Sequence, residues 1–122
     1  MADAPGVVWI PWYATVLRQD RFAAAVAEVA PLALRYGATQ YSVHRSRDDR
    51  YKITQMAWFE RKADWYRFWD GPDMRDFRRR NYGHYQIPIV YVWHDELAVG
   101  EIGPAVPLAA VPEPEPVPPA AA

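Results

Sequence analysis

Gln55 stands in a strand-like run on the same side of the alternation as Ile53, Ala57 and Phe59. A buried amide must find hydrogen-bond partners, so Gln55 either satisfies a neighbouring group or touches a ligand. Its amide can donate to a developing oxyanion. Trp65 and Trp69 follow four residues apart, on one face of a helix, where they serve as core or as the wall of a site for a flat molecule. Tyr41 adds a third ring from the preceding strand. His84, between Gly83 and Tyr85, has the chemistry of a general base. His44, His84 and His94 sit on separate elements without the spacing of a metal site. There is no cysteine, which excludes disulfides, thiolate metal sites and a cysteine nucleophile.

The elements that position these residues follow from periodicity. Val7 to Leu17 is rich in β-branched and aromatic residues with both alternating sets apolar, the pattern of a strand covered on both sides. Pro11 cannot donate to a ladder, so a bulge or an unpaired position is expected there. Asp20 has the character of an N-cap. Phe22, Val26, Val29, Ala33 and Tyr36 then form a helical stripe that Gly37 ends, with a kink at Pro31. Arg21, Glu28 and Arg35 recur every seven residues on the exposed side.

Gln40 to Arg45 and Tyr51 to Glu60 read as two strands joined by a hairpin turn at Arg47-Asp-Asp-Arg50. A helix from Arg61 to Asn81 is interrupted at Gly71-Pro72, and Ile87 to Trp93 reads as the last strand. In the second helical half Arg75, Arg78, Arg79 and Arg80 are balanced by Asp70, Asp73 and Asp76, the composition of a solvated face. The order strand, helix, strand, strand, helix, strand predicts an α+β fold, a ferredoxin-like βαββαβ sandwich in which a four-stranded antiparallel sheet carries its helices on one face. Trp9, Tyr13, Met56 and Trp58 are expected on the other face, which a second copy of the sheet would cover.

Composition divides the chain. All 18 aromatic residues lie between Trp9 and Trp93, whereas the segment after Gly100 has none and holds seven of the 12 prolines. The domain is therefore expected over residues 7–99, with an N-terminal extension at 1–6 and an extended, polyproline-like tail at 100–122. The first hundred residues carry 14 basic and 12 acidic side chains, a balance that points away from nucleic acid and from anionic membranes. No basic, apolar leader and no run of about 18 apolar residues is present, so a cytoplasmic protein is expected.

The order of elements, the strand end Trp58-Phe59-Glu60, the helix bearing Ala63, Trp65 and Phe68, the break Gly71-Pro72-Asp73-Met74 and then Phe77 resemble the antibiotic biosynthesis monooxygenase family of the dimeric α+β barrel superfamily. The resemblance covers about residues 7–96. It implies a homodimer or higher homo-oligomer, a pocket between sheet and helices, and oxidation of a phenol by dioxygen through the substrate's own carbanion, without metal, flavin or other cofactor. An asparagine on the third strand, a tryptophan four residues later, an aromatic on the next helix and an arginine on the last strand carry that chemistry in some members. They fall near Gln55, Phe59 and Trp65, while Gln86 to His94 contains no arginine. The haem-degrading branch is matched at Trp69, but its histidine position is Arg79 here.

Gln55, Trp65 and His84 are thus the candidate catalytic residues, and Tyr41, Phe59 and Trp69 the candidate substrate-binding residues. Two roles stay open. One is a cofactor-independent monooxygenase-like protein acting on or binding a flat aromatic or polyketide-like small molecule. The other is a non-catalytic homo-oligomeric assembly module whose Pro-rich tail docks to a partner protein; Leu97 to Ile102 faintly resembles the docking peptides of encapsulated cargo.

Overall fold

The computed structural model describes residues 4–116; residues 1–3 of the expected extension and 117–122 of the expected tail lie outside the described residues. Strand β1 (Gly6–Tyr13) is followed by helix α1 (Gln19–Val29), a 3₁₀ segment (Ala30–Tyr36), β2 (Ala38–Arg45), β3 (Lys52–Phe59), α2 (Lys62–Asp70), α3 (Pro72–Arg80) and β4 (Val92–Asp95). The sheet has the order β2-β3-β1-β4 with every neighbouring pair antiparallel, which is the ferredoxin-like arrangement that the sequence predicts.

The β1–β3 register runs from Gly6 opposite Phe59 to Tyr13 opposite Lys52. It sets Val8, Ile10 and Trp12 beside Ala57, Gln55 and Ile53, all buried, and leaves the intervening residues to the other face. The buried set packs on Phe22, Val26 and Val29 of α1, Trp65, Phe68 and Trp69 of α2, and Met74 and Phe77 of α3. Trp12 is the hub, its ring 5.0 to 5.8 Å from those of Tyr85, Phe22, Phe77 and Trp69. On the far face Trp9 and Tyr13 remain 46% and 38% exposed, with Met56 and Trp58 half-buried beside them. This is the apolar surface expected from the alternation.

Several boundaries differ from the sequence reading, each for a local reason. β1 stops at Tyr13 rather than Leu17: Arg18 N–H closes a turn on the Thr15 carbonyl, and Leu17 adopts φ 67° with its side chain in solvent. The need to turn into α1 overrides the β propensity of Val16 and Leu17. Asp20 is not the cap; the helix begins at Gln19 with Arg18 before it and no side-chain cap. Asp20 instead accepts from Arg45 at 2.9 Å and Arg50 at 3.3 Å, tying α1 to β2 and its hairpin.

The break expected at Pro31 is a tightening of α1 into the 3₁₀ segment, because Pro31 has no N–H for the α-helical ladder. Gly37 then ends it at φ 102°. β4 is Val92–Asp95, not 87–93. Pro88 cannot donate, Ile87 and Val90 are exposed, and β4 joins β1 only from Gly6 to Trp9. Pro11 consequently lies beyond the end of β4, in the part of β1 that needs no donor on that side.

Beyond β4 the chain forms one turn, with reciprocal backbone bonds between Gly103 and Val106, and a short 3₁₀ turn at Leu108–Ala110. Among the described residues no helix is long and apolar enough to cross a membrane.

Candidate functional site

β3 delivers Gln55 and Phe59 to the helix-facing side of the sheet, and α2 delivers Trp65 and Trp69 to the same space. They form part of a continuous ring cluster. Phe59 lies 6.3 Å from Trp65, Trp65 lies 5.3 Å from Trp69, and Trp69 lies 5.8 Å from Trp12. Gln55, only 1% exposed, accepts a hydrogen bond from Trp12 Nε1 at 2.9 Å through its Oε1. Its Nε2 is buried without a partner, and so is the indole Nε1 of Trp65. Two donor groups thus sit in this layer with no acceptor among the described residues, an arrangement that ordinarily costs stability.

Tyr91, on the irregular segment before β4, closes the cluster from outside, its ring 5.0 Å from Trp65 and 5.5 Å from Trp69. Arg78 closes it from α3. Its guanidinium stands 4.2 Å from the Trp69 ring centroid, and its Nη1 is buried without an acceptor. Burial pushes the guanidinium's pKa below its ordinary value, with nearby Tyr85 and Asp70 opposing. This corrects the reading of the arginine run as uniformly solvated. Arg79 and Arg80 do pair on the surface with Asp76 at 2.6 and 2.8 Å, and they hold its carboxyl below the usual range. Arg78 turns inward, and Asp73 accepts from the Tyr36 hydroxyl at 2.8 Å instead of pairing with an arginine.

The remaining candidates lie elsewhere. Tyr41 shares the sheet face of Gln55, opposite Ala57, but sits on the edge strand and is 37% exposed. His84 lines a separate groove of about 470 Å³ between α1 and α3. Around Gln55 the expected ring-lined space is occupied by the rings themselves, Trp12, Phe59 and Trp65 being at most 1% exposed.

Trp12, Arg78 and Tyr91 were not singled out from the sequence. The alternation placed Trp12 on the side of Ile10, yet only the β1–β3 register sets Ile10 opposite Gln55 and shows the indole to be its partner. Arg78 and Tyr91 reach the cluster across the Gly71-Pro72 break and the irregular 86–91 segment, which no sequence period spans. Asp64 was missed as well. It is buried and paired with Arg67 at 2.7 Å and Arg61 at 3.2 Å beneath Gly37. Among the described residues no group of three His, Cys, Asp or Glu could hold a metal ion.

No protein-family model matches the sequence, and no curated protein does either. Solved structures do match in fold. A candidate antibiotic biosynthesis monooxygenase from Nitrosomonas europaea superposes with TM-score 0.70 at 13% identity, covering 80% of this chain and 94% of its own. One from Bordetella bronchiseptica gives 0.67 at 18% identity, covering 78% and 99%. An Asn-to-Ala variant of SnoaB, a cofactor-independent oxygenase from Streptomyces nogalater, gives 0.66 at 13% identity, covering 80% and 97%. The chain has the fold of these antibiotic biosynthesis monooxygenase-like proteins.

Proposed function

We propose that the chain is a cofactor-independent monooxygenase-like protein that takes a flat, oxygen-bearing aromatic or polyketide-like molecule between sheet and helices. The observation that carries this reading is the pair of unpartnered donors, Gln55 Nε2 and Trp65 Nε1, in an apolar layer rich in rings. A ligand oxygen is the acceptor both lack, and its ring system stacks on Trp65 and Trp69. Donors fixed in place before an oxyanion develops stabilise it without reorganisation. Arg78, stacked on Trp69, supplies a cation beside the same rings, the role for which the last strand offers no arginine. Entry requires Tyr91 to move off Trp65 and Trp69, since its ring closes the cluster.

The test is aerobic incubation of the purified protein with a tricyclic phenol, without added metal or flavin, following dioxygen uptake and tryptophan fluorescence. Saturable quenching with dioxygen-dependent turnover is expected, and Trp65→Phe, which keeps the ring but loses the donor, should slow it. The absence of both quenching and dioxygen uptake would remove the enzymatic reading.

A second reading is favoured by one observation, the filling of the space around Gln55 by Trp12, Phe59 and Trp65. In it the protein is a non-catalytic homo-oligomeric module, and the Pro-rich tail engages a partner protein. Both readings pair two sheets face to face, so ligand binding separates them and oligomeric state does not.

A further inference from the structure

The groove that His84 lines lies apart from Gln55, Trp65 and Trp69 and shares only Phe77 with the ring cluster. Thr15 N–H donates to the His84 carbonyl at 3.0 Å and Thr15 Oγ1 to the Gly83 carbonyl at 2.8 Å, so the start of α1 is anchored beside the end of α3. Between the two helices remains an opening of about 470 Å³, within the range of small-molecule sites. Its apolar wall includes Ala25, Val29 and Phe77, and Ala25 is too short to bridge the gap between the helices.

Four nitrogen-bearing side chains line the same opening, of which Asn81 gives its amide to the Phe77 carbonyl at 2.9 Å. Arg21 has no carboxylate partner among the described residues. Arg80 gives its Nε to Asp76 at 2.8 Å, and its terminal nitrogens have no partner among the described residues. His84 Nδ1 is buried with no partner. Glu28, about two helical turns beyond Arg21 on the same stripe of α1, is the one carboxylate of the lining.

We propose that this groove binds a small monocarboxylate with an apolar, ring-sized body. The carboxylate lies among Arg21, Arg80 and His84, and the body lies against Ala25, Val29 and Phe77. Charge-assisted bonds from two guanidinium groups orient it, and Glu28 repels any second carboxylate.

Calorimetric titration of the full chain with naphthoate tests this, with neutral naphthalenemethanol and naphthalenedicarboxylate as comparisons. Naphthoate should bind saturably, and both comparisons should bind at least about tenfold more weakly, the size of one charge-assisted bond. The double variant Arg21→Gln, Arg80→Gln, altered only at exposed side chains, should weaken naphthoate by at least about tenfold. Gln55→Met should leave it unchanged. Equal affinity for acid and alcohol, no saturable naphthoate binding, or wild-type binding by the double variant each overturns the proposal. Loss of naphthoate binding in Gln55→Met would place the acid in the ring cluster and overturn it too. Binding by the groove without phenol turnover leaves this site standing and removes only the oxygenase reading.

Discussion

Replacing Gln55 by methionine separates an amide held for a ligand from one held for the fold. The two side chains are unbranched and close in volume, so packing is nearly conserved. The variant removes the Nε2 donor, which has no partner, and strands Trp12 Nε1, which now donates to Gln55 Oε1 at 2.9 Å. One buried orphan replaces another, and the net loss is a single hydrogen bond of about 1 kcal/mol. That is about 5 °C in Tm for a domain of this size. Were both ends of the amide satisfied, two buried groups would be orphaned and the cost would be about 2–6 kcal/mol. Ligand affinity should respond in the opposite proportion, since a bond to a charged oxygen is worth about 1.5–3 kcal/mol, or a tenfold to hundredfold weakening. Urea unfolding and fluorescence titration with a tricyclic phenol measure both quantities on one preparation. A loss above about 3 kcal/mol with unchanged phenol affinity would refute the assignment of Gln55 to a ligand.

Sedimentation should show the wild-type chain as a dimer or larger, and Trp9→Lys with Met56→Lys as a monomer, because both substitutions place charge on the uncovered face; a wild-type monomer at high concentration would end that expectation. Gly37→Ala should lower the urea midpoint by an amount equivalent to about 1–3 kcal/mol. The residue sits at φ 102°, and a Cβ there would lie 2.8 Å from Asp64 Oδ2. Asp20 is held below the ordinary carboxylate range by Arg50 and Arg45, and Asp76 by Arg79 and Arg80. The small stability each adds is complete above the unfolded pKa of about 3.9 and lost as pH falls through the lower folded value. Denaturation at pH 7 and at about pH 3 should therefore show a smaller acid loss in Asp20→Asn, Asp76→Asn than in wild type.

Local chemistry determined much of this protein. Alternation along Val8, Ile10 and Trp12 and along Ile53, Gln55 and Ala57 defines the buried sheet face. The stripe from Phe22 to Ala33 defines the helical segment laid upon it, which Gly37 ends, and Gly71-Pro72 marks the break between α2 and α3. Element order then leaves the ferredoxin-like sheet as the arrangement that buries both patterns at once. These are short-range matters, settled by periods of two and 3.6 residues.

The candidate site was legible only in part. Gln55, Trp65 and Trp69 could be named from their types and spacing, but the partner of the amide could not, because Trp12 lies 43 residues away. The inward turn of Arg78, the cover supplied by Tyr91 and the separation of His84 into its own groove were likewise decided by tertiary packing. Residues distant in the chain met there because the strand register fixed which side chains stand opposite one another, and a register is a property of two strands together rather than of either sequence alone.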